Sequence, residues 1–129
     1  MKTNELYGLD SKEDYRIHNP TFLDVDRAID GLAPETNSFA VLALKPNRDG
    51  CLFIQAAMPT AIHKRNRRYQ VEVRYERKGT CTQYRHYQIY IKDKKLVKSL
   101  FVSAVAGIFP VMTRWRDITR QLERKASNA

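Results

Sequence analysis

The chain has 129 residues, 43% hydrophobic and 10% aromatic, the make-up of one globular domain able to bury about two thirds of its unfolded surface. Its formal net charge of +9 is concentrated: from His63 to Lys95, eleven basic residues face only Glu72, Glu76 and Asp93. No apolar run approaches the roughly 20 residues needed to cross a bilayer, and no apolar stretch follows Lys2, so neither a membrane span nor a secretory leader is expected and the expected compartment is the cytoplasm.

Residues 1–18 are polar and read as an irregular arm ahead of a single domain over 19–129. Asn19-Pro20-Thr21 is a helix start, because Asn or Thr caps free backbone N–H groups and proline has no bond to lose in a first turn. Phe22, Val25, Ile29 and Leu32 recur at helical spacing, predicting an amphipathic helix over about 21–32 that ends before Pro34. Ser38–Leu44 and Cys51–Ala57 are apolar on both faces and are joined by Pro46-Asn47-Arg48-Asp49-Gly50, so they read as a hairpin of covered strands. A basic loop, 58–68, follows.

Two alternating strands come next. In YQVEVRYER, Tyr69, Val71, Val73 and Tyr75 share one face, and Gln70, Glu72, Arg74 and Glu76 share the other. In QYRHYQIYIK the apolar set is Tyr87, Ile89 and Ile91. Directly opposed side chains in a hairpin point the same way, so burying both odd-numbered sets requires paired numbers with an even sum. That excludes a two-residue turn at Gly79-Thr80. A loop centred on Thr80 satisfies it, setting Val73 beside Tyr87 and Val71 beside Ile89, with Arg74 beside His86 and Glu72 beside Gln88 on the outer face. Leu96, Val97, Leu100, Phe101, Ala104, Val105 and Ile108 form a broad apolar face that predicts a helix from Asp93 or Lys94 to about Gly107. A last helix, about 113–125, would turn Trp115, Ile118 and Leu122 inward. The fold class expected is α+β: an antiparallel sheet of four or more strands carrying an N-terminal helix and two C-terminal helices.

Recognisable reaction chemistry is absent from the sequence. There is no glycine-rich phosphate loop, nucleophile elbow, HExxH or CxxC. Cys51 and Cys81 fit a reducing compartment, and the three histidines are too scattered to join them in a zinc site. His86 beside Glu72 can serve as a general base, but a histidine so placed is more often an exposed strand residue in a polar patch. No catalysis, cofactor or metal is expected. The candidate partner-binding surface is the basic hairpin and its preceding loop: Lys64, Arg65, Arg67, Arg68, Arg74, Arg77, Tyr84, Arg85 and His86. Arginine interleaved with tyrosine suits single-stranded nucleic acid, through phosphate contacts and base stacking, and suits an acidic protein face as well. Charge alone does not choose between them.

Several short motifs carry a resemblance. Asn19-Pro20-Thr21 leads into a helix with Val25, Ala28, Ile29 and Leu32. The strand Tyr69-Gln70-Val71-Glu72-Val73-Arg74-Tyr75 follows, then a helix with Val97, Phe101 and Gly107, then Trp115-Arg116-Asp117-Ile118. Together they resemble the small immunity proteins of bacterial polymorphic-toxin systems, including contact-dependent growth inhibition, in which an NPT or NPS helix start, a Y-x-VE-x-R strand and a terminal W-x-x-I recur. The resemblance implies an α+β fold, no catalysis, and stoichiometric binding of a cognate toxin's C-terminal domain. Two features differ from that pattern: the loop at 58–68 is long and basic, and the chain is strongly basic where many nuclease-blocking immunity proteins are acidic. A partner with an acidic surface is therefore expected, with a small RNA- or DNA-binding domain as the alternative function.

Overall fold

The computed structural model describes residues 3–10, 13–34, 36–59, 67–77 and 80–127. Seven strands form one sheet: β1 (Glu5–Leu9), β2 (Asp14–His18), β3 (Phe39–Ala43), β4 (Cys51–Ala57), β5 (Tyr69–Arg77), β6 (Thr80–Ile91) and β7 (Arg116–Asp117). The spatial order is β2-β1-β3-β4-β5-β6-β7, with every neighbouring pair antiparallel. Helices α1 (Phe22–Asp30), α2 (Lys94–Val105) and α3 (Thr119–Ser127) complete the α+β architecture.

Within the stretch expected as an irregular arm, Glu5–Leu9 and Asp14–His18 are instead paired strands of the sheet. β1 pairs with β2 on one side and β3 on the other, so α1 follows two strands and is not the first element. Polar composition hid a period-2 pattern. Leu6 is fully buried, Tyr15 and Ile17 pack against the core, and Glu5, Tyr7, Asp14, Arg16 and His18 occupy the other side. Gly8 lets β1 lie close to β3, since a Cβ there would collide with the Phe39 carbonyl oxygen.

α1 begins as its sequence dictates. Thr21 Oγ1 accepts from Asp24 N at 3.2 Å while Asp24 Oδ2 accepts from Thr21 N at 2.8 Å, a reciprocal capping box. Val25, Ile29 and Leu32 are buried as expected, but Phe22 is 55% exposed and leaves the stripe. Asp93 caps α2 by accepting from Lys95 N, and Gly107, at φ +83°, closes it with Ile108 N donating to Ser103 O. The two helices are joined at the surface where Lys98 and Lys94 reach Asp30.

The hairpin register matches the parity argument. Val73 pairs with Tyr87, Val71 with Ile89, Arg74 with His86 and Glu72 with Gln88. Past Glu76–Tyr84 the register shifts and Arg77 pairs with Thr80; residues 78–79 lie outside the described set. Val71 and Val73 therefore join Leu6, Leu42, Ile54, Val25, Ile29, Val97, Phe101 and Ala104 in one core between the sheet and helices α1 and α2. The last segment departs from the expected helix at 113–125. It makes a 3₁₀ turn at Met112–Arg114, adds β7 to the sheet edge, and only then enters α3. Asp117 Oδ1 starts that helix by accepting from Thr119 N at 2.9 Å and Thr119 Oγ1 at 2.6 Å. Trp115 packs on the core, whereas buried Ile118 lies outside that cluster and α3 contacts β6.

Because Leu6 is enclosed between neighbouring strands and the helices, Leu6→Ala is expected to cost about 2–5 kcal/mol in urea unfolding. A Leu6 in a detached arm would cost close to nothing on truncation.

Candidate functional site: the outer face of the sheet

The strand registers arrange the uncovered face into cross-strand rows. One row crosses all seven strands: Arg16, Tyr7, Val41, Gln55, Glu72, Gln88 and Arg116. Beside it run Glu5, Ala43, Phe53, Arg74 and His86, and on the other flank Leu9, Phe39, Ala57, Gln70 and Tyr90. Helices α1 and α2 occupy the opposite face, so the side chains in these rows turn away from the helix-covered core, and all but the buried Val41 and His86 are at least partly accessible where described.

The centre is a hydrogen-bonded chain through His86. Arg74 Nε lies 3.0 Å from His86 Nδ1, and His86 Nε2 lies 2.8 Å from Glu72 Oε1. An arginine Nε–H can only donate, so Nδ1 must accept and the imidazole proton sits on Nε2, donating to Glu72. The ring is neutral in this arrangement and both nitrogens are committed. Its edge-to-face contact with Phe53, with centroids 5.9 Å apart, helps leave the residue only 3% exposed. Its backbone is tied as well: His86 N donates to Thr119 Oγ1 at 2.8 Å, and Ile118 N donates to His86 O at 2.9 Å.

Each end of the chain is fixed. The Arg74 guanidinium carbon lies 4.0 Å from the Tyr84 ring centroid and 5.4 Å from that of Phe53. Such cation–π contacts are worth about 0.5–2 kcal/mol each, depending on desolvation. Glu72 Oε2 accepts from Gln55 Nε2 at 3.0 Å and Gln70 Nε2 at 3.1 Å. Burial works against ionisation of Glu72, but the His86, Gln55 and Gln70 hydrogen bonds outweigh it and hold the carboxyl below its ordinary 4.5. At the β6–β7 edge, burial likewise opposes ionisation of Asp117, and its bonds to Thr119 and Arg85 keep it below the usual carboxylate range.

The structure divides the expected surface. Arg74, Tyr84 and His86 come together as one cluster, with His86 enclosed: its ring positions Arg74 and Glu72 and does not face a partner. Arg85 is half-buried and reaches Asp117 at 3.4 Å on the other side of β6. Arg68 is exposed and Arg67 half-buried just before β5; Arg77 is placed at the strand's end. Lys64 and Arg65 lie outside the described residues. Phe53 and Gln55 were missed, and Gln70 was placed on this face without a role. β4 looked apolar on both faces, so no face was assigned to it, although Gln55 was the one polar residue in CLFIQAA. Among the described residues no group of three or more His, Cys, Asp or Glu is placed to hold a metal ion, and no helix is long and apolar enough to cross a membrane.

No protein-family model, curated protein or solved structure matches the chain.

The Glu72 geometry sets an acid dependence. Its carboxyl is depressed in the folded state, so the stabilisation is complete above the unfolded value near 4.5 and disappears as pH falls through the lower folded value. Urea unfolding between about pH 6 and 3 should therefore show the wild type losing stability more steeply than Glu72→Gln, with the two curves parallel above about pH 6.

Proposed function

We propose that the chain is an immunity-type binding protein that neutralises a cognate bacterial toxin domain in the cytoplasm by stoichiometric contact through this outer face. The observation that carries this reading is Arg74, held between Phe53 and Tyr84 and hydrogen-bonded to a fixed His86. A guanidinium and tyrosine locked before binding lose little side-chain entropy on association, and arginine and tyrosine are the residue types that dominate protein interfaces. Phe39 and Tyr90, 37% and 51% exposed, extend the same face. Exposed Arg68, Arg116 and Lys92 rim it and favour a partner with an acidic surface, whose encounter with a +9 chain is accelerated electrostatically. Arg85, on the other side of β6 and paired with Asp117, stands apart from that rim.

The competing reading is a small RNA- or DNA-binding domain, favoured by the same open row of aromatics and amides on a basic chain. On this reading a large toxin gene should lie immediately upstream of this one, and its product supplies the test. Co-expression with that toxin's C-terminal domain should restore growth and yield a 1:1 complex. Arg74→Ala combined with Tyr84→Ala should weaken the complex about 100-fold, the effect of removing one strong interface anchor. Absence of rescue by folded protein, together with oligonucleotide binding that falls by orders of magnitude from about 50 to 200 mM salt, would establish the nucleic-acid reading instead.

A further inference from the structure

Next to the Arg74 cluster, the outer face sinks into a depression lined by Tyr7, Phe39, Val41, Gln55, Gln70 and Glu72. Val41, in the central row, and Ala57, in the row beside it, are short side chains, so they form a low floor between the rings of Tyr7 and Phe39 at one end and the amides and carboxylate at the other. Glu72 sits there as a carboxylate whose partners are all neutral: the Nε2–H of His86 and the side-chain amides of Gln55 and Gln70. Among the described residues no lysine or arginine pairs with it. Arg74, the nearest basic residue of the cluster, is committed to His86 and the two rings.

Glu72 also fixes the amides. A carboxylate only accepts, so Gln55 and Gln70 must both turn their NH₂ groups to Oε2, and neither side-chain carbonyl oxygen has a donor among the described residues. Three hydrogen bonds occupy three of the roughly four acceptor positions of the carboxylate, leaving Oε1 able to take another donor. The depression thus offers a negative charge with no basic partner, two oriented carbonyl oxygens and two aromatic walls, Tyr7 already carrying the Arg16 guanidinium 5.0 Å from its ring centroid. Each favours a flat cation rich in N–H groups over an anion or an alkyl chain.

We infer that this depression is an arginine subsite: a guanidinium group projecting from the partner enters between Tyr7 and Phe39 and donates to Glu72 Oε1 and to the Gln55 and Gln70 carbonyl oxygens. The planar fork of a guanidinium matches acceptors spread in this way, and its face stacks on aromatic rings, whereas an ammonium is a more strongly hydrated point charge. Assigning that arginine to a toxin domain rests on the function proposed above; the binding of a guanidinium does not. The subsite adds selectivity to the basic rim, because an acidic surface lacking a correctly placed arginine would leave Glu72 desolvated and unpaired.

The test is a ¹H–¹⁵N NMR titration of the whole chain with N-acetyl-arginine methylamide, run beside the uncharged isostere N-acetyl-citrulline methylamide and beside guanosine and cytidine 5′-monophosphates. The arginine compound should shift the Gln55 and Gln70 side-chain NH₂ signals and the Tyr7 and Phe39 backbone signals saturably, with the millimolar affinity expected of so small a ligand. The citrulline compound should bind at least tenfold more weakly. Glu72→Gln should weaken arginine binding at least tenfold; Phe39→Ala, at a partly exposed position that leaves the carboxylate network intact, should weaken it several-fold and serves if Glu72→Gln does not fold. Equal binding of arginine and citrulline compounds, no binding of either, unchanged affinity in the variants, or preferential binding of a nucleotide would each overturn the assignment. Arginine binding without rescue from a toxin would leave the subsite standing and remove the toxin; rescue without arginine binding would do the reverse.

Discussion

Pairing of β5 with β6 in the register that sets Val73 against Tyr87 and Arg74 against His86 governs both faces of the molecule. Side chains alternate with a period of two, so a slip of one residue would carry Glu72 and Arg74 into the helix-covered core and expose Val71 and Val73. Burial of those two valines against Val97 and Phe101 holds the register. The same pairing brings the His86 ring between Arg74 and Glu72, which stand two residues apart on one strand. A hydrophobic constraint on one side of the sheet thereby produces a polar arrangement on the other.

That polar arrangement works as a unit. His86 is buried, and burial of an imidazole is tolerated because both nitrogens and the backbone N–H have partners. With Nδ1 occupied by an arginine donor, the ring turns its only N–H to Glu72 and shares in keeping that carboxyl ionised. Arg74 keeps its charge within a sleeve of Phe53 and Tyr84, and Glu72 keeps its own beside neutral amides. Two opposite charges thus stand on one face without neutralising each other, and a partner meeting that face encounters ordered groups of both signs. Under the function proposed above, the basic excess of the whole chain would govern how a partner approaches, and the Glu72 depression and the Arg74 stack what it must present on arrival.

Much of the fold was legible because local rules were strong. The capping box at Thr21 and Asp24, the cap at Asp93, the turn composition of 46–50 and the alternation of β5 each encode an element within a few residues. The register from Tyr69–Ile91 to Glu76–Tyr84 followed from parity with a loop centred on Thr80, but Thr80 itself is not in that loop: it opens β6 and pairs with Arg77 after a register shift. β1 and β2 were hidden because alternation in ELYGL and DYRIH is carried by few apolar residues, and their outer positions hold charged groups. β7 was hidden because two residues have no periodicity: Arg116 and Asp117 extend only where β6 offers an edge and Ile118 N meets the His86 carbonyl. Phe22 fits the helical stripe by spacing but stands at its first turn, where the core no longer reaches it.

The sequence by itself determined an α+β domain, the parity of its central hairpin, and a basic hairpin whose outer face carries Glu72, Arg74, Tyr84 and His86. These follow from spacing along one or two strands. Only the tertiary structure decided that β4 turns Phe53 and Gln55 to that same face, that His86 is enclosed, and that Tyr7 and Phe39 stand across a depression from Glu72. Those neighbours come from β1, β3, β4 and β5, and their meeting depends on strand order and register, which no single segment contains.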